Sequence, residues 1–563
     1  MVFQPKIFET LKHYSKEKFT ADLMAGIIVG IVAIPLAVAF GIASGVGPTE
    51  GLVTAIIAGF IISFFGGSRV QIGGPTGAFI VIVYGIIQQH GLAGLLIATI
   101  MAGIMLILMG VFKLGNIIKF VPYPVIIGFT AGIAVTIFST QIKDLFGLDI
   151  DNLPANFVDK WIVYFKNISE TNLVTLLLGV LSILIIVLVP KISKKIPGSL
   201  VAIVVVTVAV WLLNSSGTFG HIKTIGDIYQ LPSGIPSPKM PTLTLAEGTT
   251  IIDLMVQLFP AAFTIAMLGA IESLLSAMVA DGVIADKHNS NTELIGQGIA
   301  NIVTPLFGGI PATGAIARTM TNINNGGRSP IAGIIHAVTL LLVLLFLGEL
   351  VGYIPMACLA GVLVVVSYNM SGWRSIAALR KMPMSDNVVM WITIVLTVVF
   401  DLTIAIEIGL LLSVVLFLKR TSEATSIKIF GSEIDPNIES DLELHEEKLL
   451  VPEGVAVYEI DGPYFFGVAN KFDEIMTRMS KPPRVRIIRM RRVPFIDSTG
   501  LHNLENLCIQ SRRQGSIVIL SGVTMQVRKT LLKAKFDSII PEDHICSHIN
   551  IALKKADEIL HQD

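Results

Sequence analysis

Gly73–Phe79 reads GGPTGAF, and Gly309–Arg318 reads GIPATGAIAR. Each places glycine, then proline, then Thr-Gly-Ala ahead of an apolar run, and each lies about 50 to 60 residues into its own half of a long apolar region. Lipid offers no hydrogen bonds, so backbone broken in this way survives at membrane depth only where protein or a water-filled cavity covers it. A pair of Gly/Pro interruptions at corresponding places in two halves marks an inverted-repeat transporter.

Around these breaks the 563 residues are 53% hydrophobic and only 15% charged, against roughly 25% charged in an ordinary soluble domain. Lys+Arg and Asp+Glu are both 41, so no basic excess is available for nucleic acid. Apolar runs near the 20 residues of a spanning helix recur from about Ala21 to Leu418. With shorter half-helices they give about fourteen transmembrane elements, the 387–418 run being long enough for a hairpin about Asp401. Lys6, Lys12, Lys16 and Lys18 precede a first span too long for a cleaved signal peptide. Alternate loops hold Lys113 and Lys119, then Lys191, Lys194 and Lys195, then Arg328, then Arg374, Arg380 and Lys381, then Lys419 and Arg420. That positive-inside pattern puts both termini in the cytoplasm of a multi-pass protein of the cell (inner) membrane. The expected division is a cytoplasmic segment 1–20, a transmembrane region 21–420 with halves at about 21–214 and 254–420, and a cytoplasmic domain 421–563.

Proline is tolerated in the first turn of a helix, so each break reads as a helix start. Thr76, Gly77 and Ala78, and likewise Thr313, Gly314 and Ala315, are expected to present free N–H groups at the positive end of a helix dipole. Two such ends facing one point make an anion site. Arg318 follows Gly314 by four residues, one turn on, and an intramembrane arginine is by default functional or paired; Glu272 is its candidate partner. Glu272 is the one ionisable residue between Ala261 and Ala280. Burial there disfavours its charged form, which suits a proton carrier, and Ser276 shares its face. Asp401 and Glu407 are weaker signals near an interface, and His336 reads as a packing histidine with its hydrogen bonds satisfied. Cys358, Cys508 and Cys546 have neither paired spacing nor a histidine-rich setting, so no disulfide, metal or other cofactor is expected.

At these residues the chain resembles the SulP family of inorganic anion transporters. The likeness runs from AIPLAVAFGIASGVGP (Ala33–Pro48) through QIGGPTGAF (Gln71–Phe79), VPYPVIIGFTAGIA (Val121–Ala134) and IESLLSAMVAD (Ile271–Asp281) to the 45 residues from Glu293 to Ala337. The resemblance implies a seven-plus-seven inverted repeat with core and gate domains, a homodimer, and a small anion held between the third and tenth helices. It also implies that Phe40 lines the pocket. Two departures stand out. Many relatives have glutamine where this chain has Leu36, and sodium-coupled relatives have aspartate at the Glu272 position with a hydroxyl residue at Ile316. Ile316 supplies no oxygen for sodium, so the proton is the expected coupling ion.

After Arg420 the charged fraction rises from about a tenth to more than a quarter, and strand-like runs appear at Val455–Gly467, Arg484–Met490 and Ser516–Gly522. Helices are expected at Lys471–Met479, Ser498–Gln510 and Met525–Leu532, giving an α/β layer. FIDSTGL (Phe495–Leu501) marks a strand-to-helix switch at which Ser498 is expected to cap the helix. This part resembles the STAS domain, and Ser498 matches the serine that is phosphorylated in stand-alone bacterial members. The chain shows no GxxxxGK(S/T), HExxH or nucleophile elbow, so no enzyme activity is expected. The leading expectation is a proton-coupled or exchanging secondary transporter of sulfate, bicarbonate, chloride or small dicarboxylates. A nucleobase permease of the same fold is one alternative, although Ala315, Ile316 and Ala317 give base edges nothing polar. The other is an anion-sensing membrane regulator that signals through Ser498.

Overall fold

The computed structural model describes residues 3–561 except 13, 116–121, 151–152, 155, 193–196, 217–220, 230–233, 239–249, 380, 382, 401, 432, 435–448 and 469–481. Lys119, Lys194, Lys195, Arg380 and Asp401, and the helix expected at Lys471–Met479, lie outside the described residues. The chain divides into two compact units, Met1–Ser413 and Val414–Asp563.

The first unit is helical. A short α1 (Lys6–Leu11) leads to α2 (Lys16–Ala43) and α3 (Pro48–Phe65), then to a two-residue strand β1 (Gly73–Gly74), a 3-10 turn at Gly77–Phe79 and α4 (Ile80–Val111). α4 is two helices in one, bent at Gly91, whose φ of +65° a side chain would strain. α5 (Tyr123–Phe146), α6 (Phe157–Asn167), α7 (Leu173–Ile192) and α8 (Gly198–Ser216) complete the first half. After the one-turn α9 (Ile225–Ile228), the second half runs α10 (Ile251–Ile284), α11 (Ser290–Val303), β2 (Thr313–Gly314), α12 (Ile316–Asn324), α13 (Pro330–Gly352), α14 (Met356–Met370), α15 (Trp373–Leu379), α16 (Met384–Val399) and α17 (Leu402–Ala424). Among the described residues nine helices are long and apolar enough to cross a membrane. α11, α12 and α16 are the shorter elements, and the order fits the expected seven-plus-seven arrangement.

α4 lies against α10 and α11, and α13 against α2 and α3, forming one bundle; α5 with α14 and α16, and α7 with α8 and α14, form another. Small residues set these approaches, since apolar side chains gain little from leaving lipid. Gly103 and Gly298 face one another, so a Cβ on either would press on the other's carbonyl.

Where both breaks were expected to be helix starts only, the structure also pairs them as strands. β1 and β2 are antiparallel, Gly73 opposite Gly314 and Gly74 opposite Thr313. The unwound backbone of each half satisfies the other, as hydrocarbon requires.

The second unit carries a five-stranded sheet of β3 (Ser426–Phe430), β6 (Val455–Asp461), β7 (Val485–Arg492), β8 (Ile517–Ser521) and β9 (Ile545–Cys546), in the order β3-β6-β7-β8-β9; β4 (Glu433–Ile434) and β5 (Leu449–Leu450) pair separately. β6 to β9 are mutually parallel and β3 is antiparallel. The central strands are buried on both faces, as parallel strands are. Tyr458, Ile488 and Leu520 meet α18 (Ser498–Arg513) and α19 (Met525–Lys533), while Val457, Ile487 and Ile519 meet α20 (Ile549–His561).

Candidate anion site

The crossing of β1 and β2 is tied into α10 from both sides. From the first break, Thr76 Oγ1 donates to Glu272 Oε2 at 2.8 Å. From the second, the hydroxyls of Thr313 and Ser273 lie 2.6 Å apart, Thr313 also donating to the Gly269 carbonyl at 2.9 Å. Thr76 and Thr313 are buried and Glu272 is half-buried.

Two helices start at this crossing. In the first break Thr76 is the extended residue before the 3-10 turn, so the N–H groups of Gly77 and Ala78 occupy its first two positions, which have no acceptor within the turn. The second break differs from the sequence expectation. Thr313 and Gly314 are strand residues, the Gly314 N–H reaches Ser273 Oγ at 3.4 Å, and the Ala315 N–H donates to the Ile72 carbonyl at 2.9 Å. α12 begins one residue later, which moves the open N–H positions to Ile316 and Ala317. The cause is that the strand pairing and the Ser273 hydroxyl take up the N–H groups expected to be free. Phe40 is buried in the same apolar cluster as Ala78, Phe79 and Ala266.

Arg318 is 3% exposed, and its guanidinium is turned to the first break rather than to Glu272. It donates to the Pro75 carbonyl and, at 3.5 Å, to the Gly73 carbonyl. No Arg318–Glu272 ion pair within 4.0 Å is present, so the pairing suggested by the sequence does not form. Gly74, at φ +150°, leaves the room, since a Cβ there would run into the guanidinium. The arginine thus fastens the broken backbone and places its positive charge behind it, a preorganised arrangement that favours an anion without reorganisation.

Ser276 does not share Glu272's surroundings: its hydroxyl donates to Thr319 Oγ1 at 3.3 Å, and Thr319 Oγ1 accepts the Ile72 N–H at 3.1 Å. Four residues are 400° around a helix, enough to turn Ser276 to α12 while Glu272 faces Thr76. His336 is buried as expected, yet neither ring nitrogen has a hydrogen-bond partner among the described residues, so the expected satisfaction is not found. It packs opposite Gly59, where the absence of a Cβ makes room for the ring. In the second unit, Asp497 and not Ser498 caps α18, its Oδ1 accepting from the Gly500 N–H at 2.7 Å. A carboxylate at that position answers both the open N–H groups and the helix dipole. Ser498, one residue on, is exposed.

Several supporting residues escaped the sequence reading. Asn301 brackets Ala312, accepting its N–H at 2.9 Å and donating to its carbonyl at 2.8 Å. Thr54 accepts the Ile310 N–H at 2.8 Å, and Gln71 packs on Gly314 so closely that a Cβ there would collide with its amide. The buried Glu293 holds the N–H groups of Gly67 and Ser68 at 2.7 and 3.0 Å. Thr54, Glu293 and Asn301 lie within helices and Gln71 in the segment leading to β1; a polar residue among apolar neighbours points to a buried role without naming its partner.

Residues 19–393 match the model of the sulfate permease family and residues 448–552 that of the STAS domain. The chain is 43% identical over 539 residues to a putative sulfate transporter, YvdB, of Bacillus subtilis, covering 95% of this chain and 98% of the relative. It is 33% identical over 516 residues to the bicarbonate transporter BicA of Synechocystis sp., covering 89% and 88%. The structure of the murine Solute Carrier 26 family member A9 anion transporter, in its inward-facing state, superposes with a TM-score of 0.86 over 99% of this chain and 94% of the other. At 18% identity that likeness speaks for the fold alone.

Proposed function

Because the chain belongs to the sulfate permease family, we propose that it is a secondary transporter of small inorganic anions, of the sulfate and bicarbonate class, working by alternating access. The observation that carries this reading is the pairing of Gly73 with Gly314 and Gly74 with Thr313, which brings two helix starts to one point with the Arg318 charge behind it. Dipole ends, open N–H groups and a fixed cation are the elements of an anion site. The side chains at the second helix start are Ala315, Ile316 and Ala317, which suit a small anion and give nothing to the edges of a nucleobase.

Glu272 supplies the coupling. It takes its hydrogen bond from Thr76, one residue before the first helix start, so its charge and the anion act on the same turn. A bound anion opposes a second negative charge, which loads proton and anion together, each strengthening the other. Ile316 brings no oxygen for sodium. In this reading both termini are cytoplasmic, the protein works as a homodimer in the cell membrane, and the exposed Ser498 is the regulatory position of the STAS domain. The test is uptake of labelled sulfate, bicarbonate, chloride and small dicarboxylates by purified protein in proteoliposomes. Saturable uptake of one or more supports the reading; binding with no flux would favour a sensor.

A further inference from the structure

We propose that the cavity beside Lys160 is a second anion site, a vestibule that holds the substrate on the extracytoplasmic side before it reaches the β1–β2 crossing. The inference rests on the transport reading and on the orientation that goes with it. α6 follows the loop after α5, and its N-cap Asn156 accepts the Val158 N–H at 2.9 Å. Its Lys160 is only 3% exposed, and its ammonium makes no hydrogen bond or ion pair with any described residue. It lies over the Tyr84 ring, 5.9 Å from the centroid. A buried cation without an anionic partner is costly, so such a group points to a ligand. Burial holds the ammonium down to about 8, and an anion beside it would restore its charge.

The cavity it faces has a volume of about 530 Å³, ample for a hydrated oxyanion. Gln257 on α10 lines it with Tyr84 on α4, and Thr136 and Thr140 on α5 form another wall. The two threonine hydroxyls donate to carbonyls of their own helix, which leaves Lys160, with the lining side chains of Gln257, Gln89, His90 and Asn156, to donate to a ligand. Ile80, three residues from Gly77, also lines it, so the cavity wall comes within one turn of the first helix start. Glu407 lines the same space and forms no ion pair with Lys160 within 4.0 Å. Its carboxylate keeps an anion from being held tightly, as a transit site requires.

The test is influx and efflux of labelled sulfate, with labelled bicarbonate in parallel, in proteoliposomes of known orientation. Lys160→Gln should raise the KM for external anion about fivefold with the maximal rate and the KM at the cytoplasmic face unchanged. Lys160→Arg should keep the wild-type KM, and Glu407→Gln should lower the external KM. The Glu407 variant carries the test by itself if Lys160→Gln does not fold. An unchanged external KM in folded Lys160→Gln, or an external KM that does not fall in Glu407→Gln, would overturn the vestibule while leaving the transport reading intact. Absence of flux of either anion in wild type would instead overturn both.

Discussion

Thr76 Oγ1 donates to Glu272 Oε2 across 2.8 Å, joining the first backbone break to the one carboxylate at the centre of α10, 196 residues away in the chain. The donor sits immediately before the helix start that would face an anion, so the bond is the shortest physical route between the two proposed ligands.

Thr76→Val should therefore cut the link while keeping the shape of the side chain. A hydrogen bond to the ionised carboxylate contributes about 1.5–3 kcal/mol, so losing it favours the neutral Glu272 that loads with the anion: at a pH where wild-type Glu272 is ionised, anion affinity should rise by roughly tenfold, and Thr76→Ser should restore the wild-type value. Titration calorimetry on detergent-solubilised protein reads both. Equal affinity in wild type and Thr76→Val would detach Thr76 from the site.

Gly74→Ala is the sharpest test of the crossing. Its φ of +150° is strained for any side chain, and the new Cβ would push into the Arg318 guanidinium. Strain of this kind costs on the order of 1–3 kcal/mol, so a lower unfolding temperature and lost uptake are expected together. Full uptake would mean that β1 is not packed as described.

Arg318→Ala should both weaken anion binding and destabilise the protein, because the Gly73 and Pro75 carbonyls lose their buried donor. An unsatisfied buried group costs about 1–3 kcal/mol. Arg318→Lys keeps the charge but not the two-pronged reach, so it should retain more affinity than stability. Thermal unfolding with and without anion separates these effects; a variant that loses neither would show the arginine to be idle.

Much of this was legible in the chain because the membrane imposes simple rules. Apolar length gives the spans, and the repeated Gly-Pro-Thr-Gly-Ala pattern gives the two breaks. The strand pairing was not legible, since two residues such as Thr313 and Gly314 carry no alternation to read. It moved the open N–H positions to Ile316 and Ala317. Facing was equally hidden: Ser276 and Glu272 share a turn in sequence, yet one meets Thr319 and the other Thr76. In the second unit the short strands β3 and β9 and the amphipathic α20 are not legible because each is brief or charged; β3 is held by pairing with β6, β9 by pairing with β8, and α20 by packing on β7 and β8.

The cap of α18 gives a test confined to the second unit. Asp497→Ala removes acceptors for the Gly500 and Phe466 N–H groups and should cost about 1 kcal/mol or more. Ser498→Ala, on an exposed side chain, should change stability by less than about 0.5 kcal/mol. Hydrogen exchange of the first α18 amides in the full chain distinguishes them; greater exposure in the Ser498 variant would restore the serine as the cap.

The coupling claim is tested most directly by uptake of the transported anion into proteoliposomes under separately imposed proton and sodium gradients, comparing wild type with Glu272→Gln. Wild-type uptake should rise as external pH falls and be indifferent to sodium, while Glu272→Gln, fixed in the neutral form, should still bind anion but lose the pH dependence. Wild-type flux that follows sodium and ignores pH between about 5 and 8 would contradict proton coupling through Glu272.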